Sequence, residues 1–182
     1  MSETKVITGL VRFSYVHVFE PHAAQEGQDE KYSVSIIIPK DKKDTLKKIE
    51  AAIEAAAENG KSKFNNKDPK KIKKFHWPLR DGDEDRDEDE AYQDAFFLTA
   101  SSKQKPGLID VDKDEILDST DFYSGCWGRA SITFFPFNSS GNMGIACGLN
   151  NLQKLKDGEP LGGRSRAVDD FADDFEDDDL LG

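Results

Sequence analysis

Cysteine is scarce in this chain, and apolar runs of membrane length are missing. Cys126 and Cys147 are the only two cysteines in 182 residues. Both stand in strand-like apolar stretches, where buried thiols are common. No stretch approaches the ~20 apolar residues of a membrane span, and MSETKVITGL lacks the basic-then-apolar order of a secretion leader. The expectation is an intracellular, soluble protein without a disulfide. His17, His22 and His76 have no spacing to either cysteine that suits zinc. A P-loop, a Gly-rich dinucleotide turn and a G-x-S-x-G elbow are all missing. Asn138-Ser139-Ser140 forms a glycosylation sequon that an intracellular chain would not use.

Two carboxylate runs resemble the opening of a calcium loop and fail on inspection. After Asp81, Asp83 and Asp85, Arg86 stands where glycine is required and Tyr92 where glutamate should close the loop. After Asp110, Asp112 and Asp114, Glu115 takes the glycine position. A two-metal nuclease would need carboxylates fixed on ordered strands, and these lie in polar runs that read as solvated loops. No metal, no cofactor and no catalysis are expected.

What the chain has in abundance is charge, unevenly placed. Of the formal −11, residues 169–182 hold −8 and the run DGDEDRDEDE at 81–90 holds −7, so the rest of the chain is at +4. An acidic total hides a mildly basic body, and that asymmetry bears on partners.

Residues 5–19 are rich in β-branched and aromatic side chains and predict a first strand. In 32–39, Tyr32, Val34, Ile36 and Ile38 alternate with serines, predicting a second strand with one buried face. Pro39 ends it. Asp41 can cap a helix over 41–58, with Asp44 in its first turn, apolar residues from Leu46 to Ala57 at helical spacing, and Asn59-Gly60 as the stop. Residues 61–95 lack steady periodicity. Seven lysines are followed by the knot FHWPLR and then by the acidic run, which could dock back on the basic one. Such insertions tend to be functional or disordered. Strand patterning returns at 95–101, 107–111, 122–137 and 142–155, with a hairpin turn at 138–142, and a Gly- and Pro-containing linker follows Leu155.

Several strands, one helix and no βαβ alternation predict a mainly β fold with one principal helix. The economical form is an OB-like small β-barrel over 1–163, carrying the irregular 61–95 insertion. A flexible linker and disordered acidic C-terminal tail occupy 164–182. The helix follows the second strand rather than the third, which departs from strict OB topology.

Period-two reading of 122–137 separates two faces. Phe122, Ser124, Cys126, Gly128, Ala130, Ile132 and Phe134 make an inward face; Tyr123, Gly125, Trp127, Arg129, Ser131, Thr133, Phe135 and Phe137 make the other. Rings mixed with an arginine and hydroxyls suit single-stranded nucleic acid, because bases stack on rings for ~1–3 kcal/mol each and phosphates need cations. Packing beneath the helix or the insertion explains the same residues about as well, since strand aromatics commonly pack; Phe135 is expected in the core. Arg12 and Tyr15 on the first strand, Trp77 and Arg80 after the lysines, and Lys103 and Lys105 at a strand end complete the set. The candidate nucleic-acid contacts are thus Arg12, Tyr15, Trp77, Arg80, Lys103, Lys105, Tyr123, Trp127, Arg129 and Phe137.

KYSVSIIIPK, WPLRDGD, FYSGCWGRASITFFPFN and GNMGIACGLNNLQKLKDGEPLGG resemble a family of phage and prophage single-stranded DNA-binding proteins, first catalogued as a domain of unknown function. The resemblance runs over about 5–163. It implies an OB-type fold, distantly similar to the single-stranded DNA-binding protein of T7-like phages, and sequence-independent binding in phage replication or recombination inside the bacterial host. The contact residues above rest on the face argument alone.

The closing VDDFADDFEDDDLLG, residues 168–182, also matches the acidic, apolar-tipped tails common in single-strand binders. Such a tail can occupy the protein's own basic groove and be displaced by DNA. Phe171 and Phe175, four apart, together with Asp177, Asp178, Asp179, Leu180 and Leu181, are the candidate contacts for a replication or recombination protein. A purely solubilising tail is the plainer reading, and the apolar residues favour a partner. A homodimer through an exposed strand edge is compatible with the pattern but has no signal of its own. The rival function is an acidic interaction module that mimics nucleic acid; a metal-dependent nuclease is a distant third.

Overall fold

The computed structural model describes residues 4–23 and 26–161. Strand β1 (Lys5–Ile7) is followed by β2 (Val11–His22), β3 (Lys31–Pro39), helix α1 (Lys43–Asn59), β4 (Arg80–Asp81), the short α2 (Gly82–Asp85), β5 (Ala95–Ser102), β6 (Gly107–Ile109), β7 (Trp127–Ser139) and β8 (Asn142–Lys156). The stretch expected as one first strand is therefore two, broken at the Gly9-Leu10 bend. Residues 122–126 turn before β7 begins.

β2, β3, β5, β8 and β7 pair in that order, and β7 returns to β2, closing a five-stranded ring. All pairings in the ring are antiparallel except β5 with β8. This is an OB-like barrel, and α1 enters between its second and third strands, as the sequence order implied. Alternate residues fill the interior: Val11, Phe13 and Val18 from β2; Val34, Ile36 and Ile38 from β3; Leu98 and Ala100 from β5; Ala130, Ile132 and Phe134 from β7; Ile145, Cys147, Leu149 and Leu152 from β8. Leu46, Ile49, Ala52, Ile53 and Ala56 of α1 join this core. Period two on strands and 3.6 on the helix thus converge on one cluster.

The helix start differs from expectation. Lys42, not Asp41, holds the N-cap position, without a side-chain capping bond. Thr45 ties this end down instead: it is buried, and its Oγ1 accepts the Gly9 amide at 2.9 Å. Asp44 sits in the first turn as expected, and Gly60 ends the helix. In the β7–β8 hairpin, Ser140 and Gly141 take positive φ of 52° and 90°, the left-handed pair that a two-residue hairpin requires.

Phe135 is a correction to the core expectation. Phe134 takes the inward position, so its neighbour points outward and is 47% exposed. The acidic run does not dock on the lysines either. Asp81 and Asp83 pair with Lys40 at 3.1 and 2.7 Å, and Asp85 pairs with Arg80 at 2.9 Å. The hydrogen bond from Lys40 holds the Asp83 carboxyl below its ordinary range.

Both cysteines are free and buried. Loss of solvation pushes both thiols above their usual range, Cys147 most strongly. The thiolate is the reactive form. Neither residue should be alkylated by iodoacetamide at pH 8 in the native protein, and both should react once the chain is unfolded in urea. Native labelling of either, read by mass spectrometry, would contradict this packing.

Candidate nucleic-acid interface

The outer face of β2, β3 and β5 is laid out in rows by strand register. Arg12 pairs with Ile37, Ile37 with Phe97, and Phe97 with Arg80; on its other side Arg12 pairs with Trp127. The next row is Ser14, Ser35 and Thr99, and the one beyond is His17, Ser33 and Ser101. One flank is therefore cationic and aromatic; in the middle row Ser14 and Ser35 are buried, and Thr99, Ser33 and Ser101 are the hydroxyls that reach the surface.

Arg12 anchors the first row. Its guanidinium lies 5.5 Å from the Trp127 ring centroid, Nε donates to Gly125 O at 3.0 Å, and an Nη donates to Glu159 O at 2.7 Å. A shift in register after Ser14 puts Tyr15 at a positive φ of 47°. Bulges re-aim side chains in this way, and the Tyr15 ring is left 52% exposed.

Arg86 is the residue that sequence reasoning missed. In the sequence it counts only against a calcium loop, yet its guanidinium stands 5.7 Å from the Tyr15 ring, 5.6 Å from Tyr92 and 5.5 Å from Phe97. These distances lie within cation–π range. The 81–93 loop carries it there. Gly82 passes so close to Tyr92 O that any Cβ would collide, and the Gln93 amide donates to the carbonyls of Arg86, Asp87 and Asp89. Tyr92 is buried beneath, sharing a 2.9 Å hydrogen bond with Ser35 Oγ, and burial pushes its phenol up. A hollow of about 200 Å³ opens between Tyr15, Ser33, Ser35, Arg86 and Thr99. Two signals could have revealed this group: the lone arginine among acids, and the outward parity of Phe97 and Thr99 in AFFLTAS.

The stretch after β8, expected as a free linker, begins as a strap across one edge of this face. Tyr123 Oη donates to Asp157 Oδ1 at 2.8 Å, and Leu161 N donates to Ser124 O at 2.8 Å. Gly158 crosses against Gly125 O and the Trp127 indole, where a Cβ would not fit. Leu161 packs on the second apolar cluster of Ile37, Tyr92, Ala95 and Phe97. Lys154 and Lys156 stand 5.2 and 5.3 Å from the Tyr123 and Trp127 rings.

Arg12, Tyr15, Arg80 and Trp127 are thus brought to one face, with Tyr123 under the strap at its edge. Arg80 lies 5.7 Å from the Phe97 ring. Lys103 and Lys105 follow the end of β5, where Lys105 Nζ is 5.8 Å from the Phe19 ring and Lys103 Nζ is 3.8 Å from Asp29. Near that end His17 stacks on His22 with centroids 4.2 Å apart; burial first, and the His22 charge second, hold His17 below its ordinary range. Three expected contacts lie elsewhere. Arg129 is beyond the β2–β7 pairing and donates through Nε to Thr8 O at 2.9 Å. Phe137 stacks on His76 at 6.1 Å beside the β7–β8 hairpin. Trp77 lines a groove against α1. The tail residues Phe171, Phe175, Asp177, Asp178, Asp179, Leu180 and Leu181 lie outside the described residues.

Asp110, Asp112 and Asp114 bring carboxylate oxygens within 4.8 Å of one another. Asp110 Oδ1 accepts the amides of Asp112 and Asp114 at 2.8 and 3.0 Å, so this carboxylate closes a turn. No helix among the described residues is long and apolar enough to cross a membrane.

The family model for the Enterobacter phage Enc34 single-stranded DNA-binding protein matches residues 4–181. The chain belongs to this family. A putative protein, p50, of Acyrthosiphon pisum secondary endosymbiont phage 1 is 30% identical over 177 residues, 93% of each chain. The solved structure of the bacteriophage Enc34 single-stranded DNA-binding protein in complex with ssDNA is similar at a TM-score of 0.76 and 25% identity, over 87% of this chain and 90% of that one. The fold extends to gp2.5, a single-stranded DNA-binding protein of bacteriophage T7, at a TM-score of 0.58 and 12% identity over 96% of each chain. Both of these solved relatives are single-stranded DNA-binding proteins.

Proposed function

We propose that this protein binds single-stranded DNA without regard to sequence, in phage DNA replication or recombination within the bacterial host. The observation that carries the reading is the pair of arginine–aromatic stacks, Arg12 on Trp127 and Arg86 on Tyr15, flanking hydroxyl rows on the outer strands of an OB-like barrel. That is the face on which such barrels take oligonucleotides. The arginines meet phosphates, the rings meet bases, and Ser33, Ser101 and Thr99 accept or donate without selecting a base. Membership of the Enc34 family supports the same reading.

The acidic tail competes with DNA for this face and recruits a replication or recombination protein once DNA displaces it. The strap supports this part, because it delivers the chain to Leu161, beside Ile37 and Phe97, immediately before the tail. A fluorescent oligo-dT titrated with the full-length chain and with residues 1–167, at two salt concentrations, tests both claims. Binding should fall with salt, and the shorter chain should bind about tenfold tighter at low salt, a coupling of about 1.4 kcal/mol. Equal affinities would remove the competitor. No binding by either chain would favour an acidic interaction module instead.

A further inference from the structure

The lysine-rich segment 61–74 is not part of the barrel face, and its charge is unspent. Lys61 pairs with Glu58 at 3.2 Å, and Lys63 Nζ reaches Pro136 O at 3.4 Å. Lys67, Lys70, Lys71, Lys73 and Lys74 are all exposed. Among the described residues none of the five has a carboxylate within ion-pair distance. Asp68 is the one acid in the segment, and its Oδ1 is engaged by the Lys70 amide at 3.0 Å, capping the turn that starts at Pro69.

The segment is held in place. Phe64 is fully buried, and Phe75 packs edge-on against it with centroids 5.1 Å apart. Asn138 Nδ2 donates to Lys63 O at 2.8 Å. Gathering five like charges on a fixed platform costs self-repulsion, and a polyanion would relieve it.

The apolar members of the stretch show which polyanion fits. Phe64 belongs to the core, and Ile72 and Phe75 pack against it, so the outer surface of the segment itself is cationic, and the apolar recess beside it belongs to a groove whose α1 glutamates oppose the carboxylates of an acidic peptide. Phosphates need no recess. Trp77 lies beside the patch, 40% exposed, its ring 4.6 Å from Phe75. It lines a groove of about 1060 Å³ with Lys67 and Lys70 on one rim and Glu50, Glu54 and Glu58 of α1 on the other. The glutamates repel a polyanion from the helix side and confine it to the lysine side.

We propose that this platform is a second nucleic-acid contact, which grips the phosphate backbone of the bound strand beyond the length held on β2, β3 and β5. The inference rests on the single-strand reading above, and oligonucleotide length tells the two apart. The test uses the full-length chain with Lys67→Gln, Lys70→Gln, Lys71→Gln, Lys73→Gln and Lys74→Gln combined; circular dichroism confirms the fold. Affinity for the shortest oligo-dT that the unmodified chain binds should stay within about twofold. On long oligo-dT the slope of log K against log salt should flatten by up to about 3.5, at about 0.7 for each phosphate that the five lysines neutralise on a single strand.

An unchanged slope on long strands would overturn the second contact, as would an equal weakening on short and long ones, which would put the lysines on the barrel path. Should the glutamine variant keep its DNA affinity but no longer respond to tail deletion, the lysines would belong to the acidic tail and the proposal would fall. If the unmodified chain bound neither length, the single-strand reading itself would fail. An immobilised, saturated oligonucleotide that captures a second labelled strand would show that the phosphates come from another strand, and would overturn the same-strand path.

Discussion

Trp127→Ala is expected to weaken oligo-dT binding by about 1–3 kcal/mol, roughly 5- to 150-fold, the range for removing one base stack. Trp127 is half-buried at the start of β7. Arg12 and Lys156 stand 5.5 and 5.3 Å from its ring centroid. On the proposed reading, removing the indole takes away a stacking surface and also the support that positions Arg12 for phosphate. The residue lies at the barrel rim, outside the main cluster, so stability should change little. Fluorescence anisotropy gives the affinity, and a thermal melt checks the fold. Trp127→Phe should recover much of the affinity, since a phenyl ring still stacks. A folded alanine variant with undiminished affinity would return Trp127 to a packing role beneath the strap.

Phe64→Ala should have the larger effect on stability, about 3–5 kcal/mol, the range for truncating a fully buried phenylalanine. That is a large share of the ~5–15 kcal/mol that holds a typical domain together. Phe64 is 0% exposed, and it joins the end of α1 to β7 and to Phe75. A urea titration followed by circular dichroism reads the shift in midpoint. A change below about 1 kcal/mol would mean that the site collapses around the gap and that the lysine platform is not anchored here. If the platform does depend on Phe64, the variant studied well below its midpoint should also show the flatter long-strand salt slope.

The parts of this protein that were legible in its sequence are those written in local periodicity. Alternation in YSVSIIIP and FYSGCWGRASITFFPF assigned the inward residues of β3 and β7, and 3.6-residue spacing assigned the inner face of α1. Trp127 stands out by its outward parity, Arg12 and Tyr15 as interruptions of an apolar run, and only the bulge after Ser14 turns Tyr15 outward. What stayed hidden depends on contacts between distant residues. The parallel meeting of β5 and β8 at Ser101 and Gly148 closes the barrel and leaves no local trace. Arg86 was masked by eight acidic neighbours, because counting charge treats such a run as a solvated loop. Lys40 and Arg80 instead fold that run onto the sheet and lift its one arginine over three rings. Phe135 differs for the opposite reason: its hydrophobicity suggests the core, and its parity, opposite to that of Phe134, turns it outward. In the Asp157 to Leu161 strap, glycine and proline suggest a linker, whereas Gly158 lets the chain pass close against the indole.

That strap also fixes a dose. Leu161 is pinned to the barrel, and Asp169 is eight residues further on, so even a fully extended chain keeps that carboxylate within about 30 Å of the anchor. A ligand tethered over so short a span acts at an effective concentration in the millimolar range. If the tail competes as proposed, diluting the protein leaves this internal competitor as strong as before, while DNA from outside is diluted in the ordinary way. Occupancy of the face would then be governed by how much single strand is present and hardly at all by how much protein has been made.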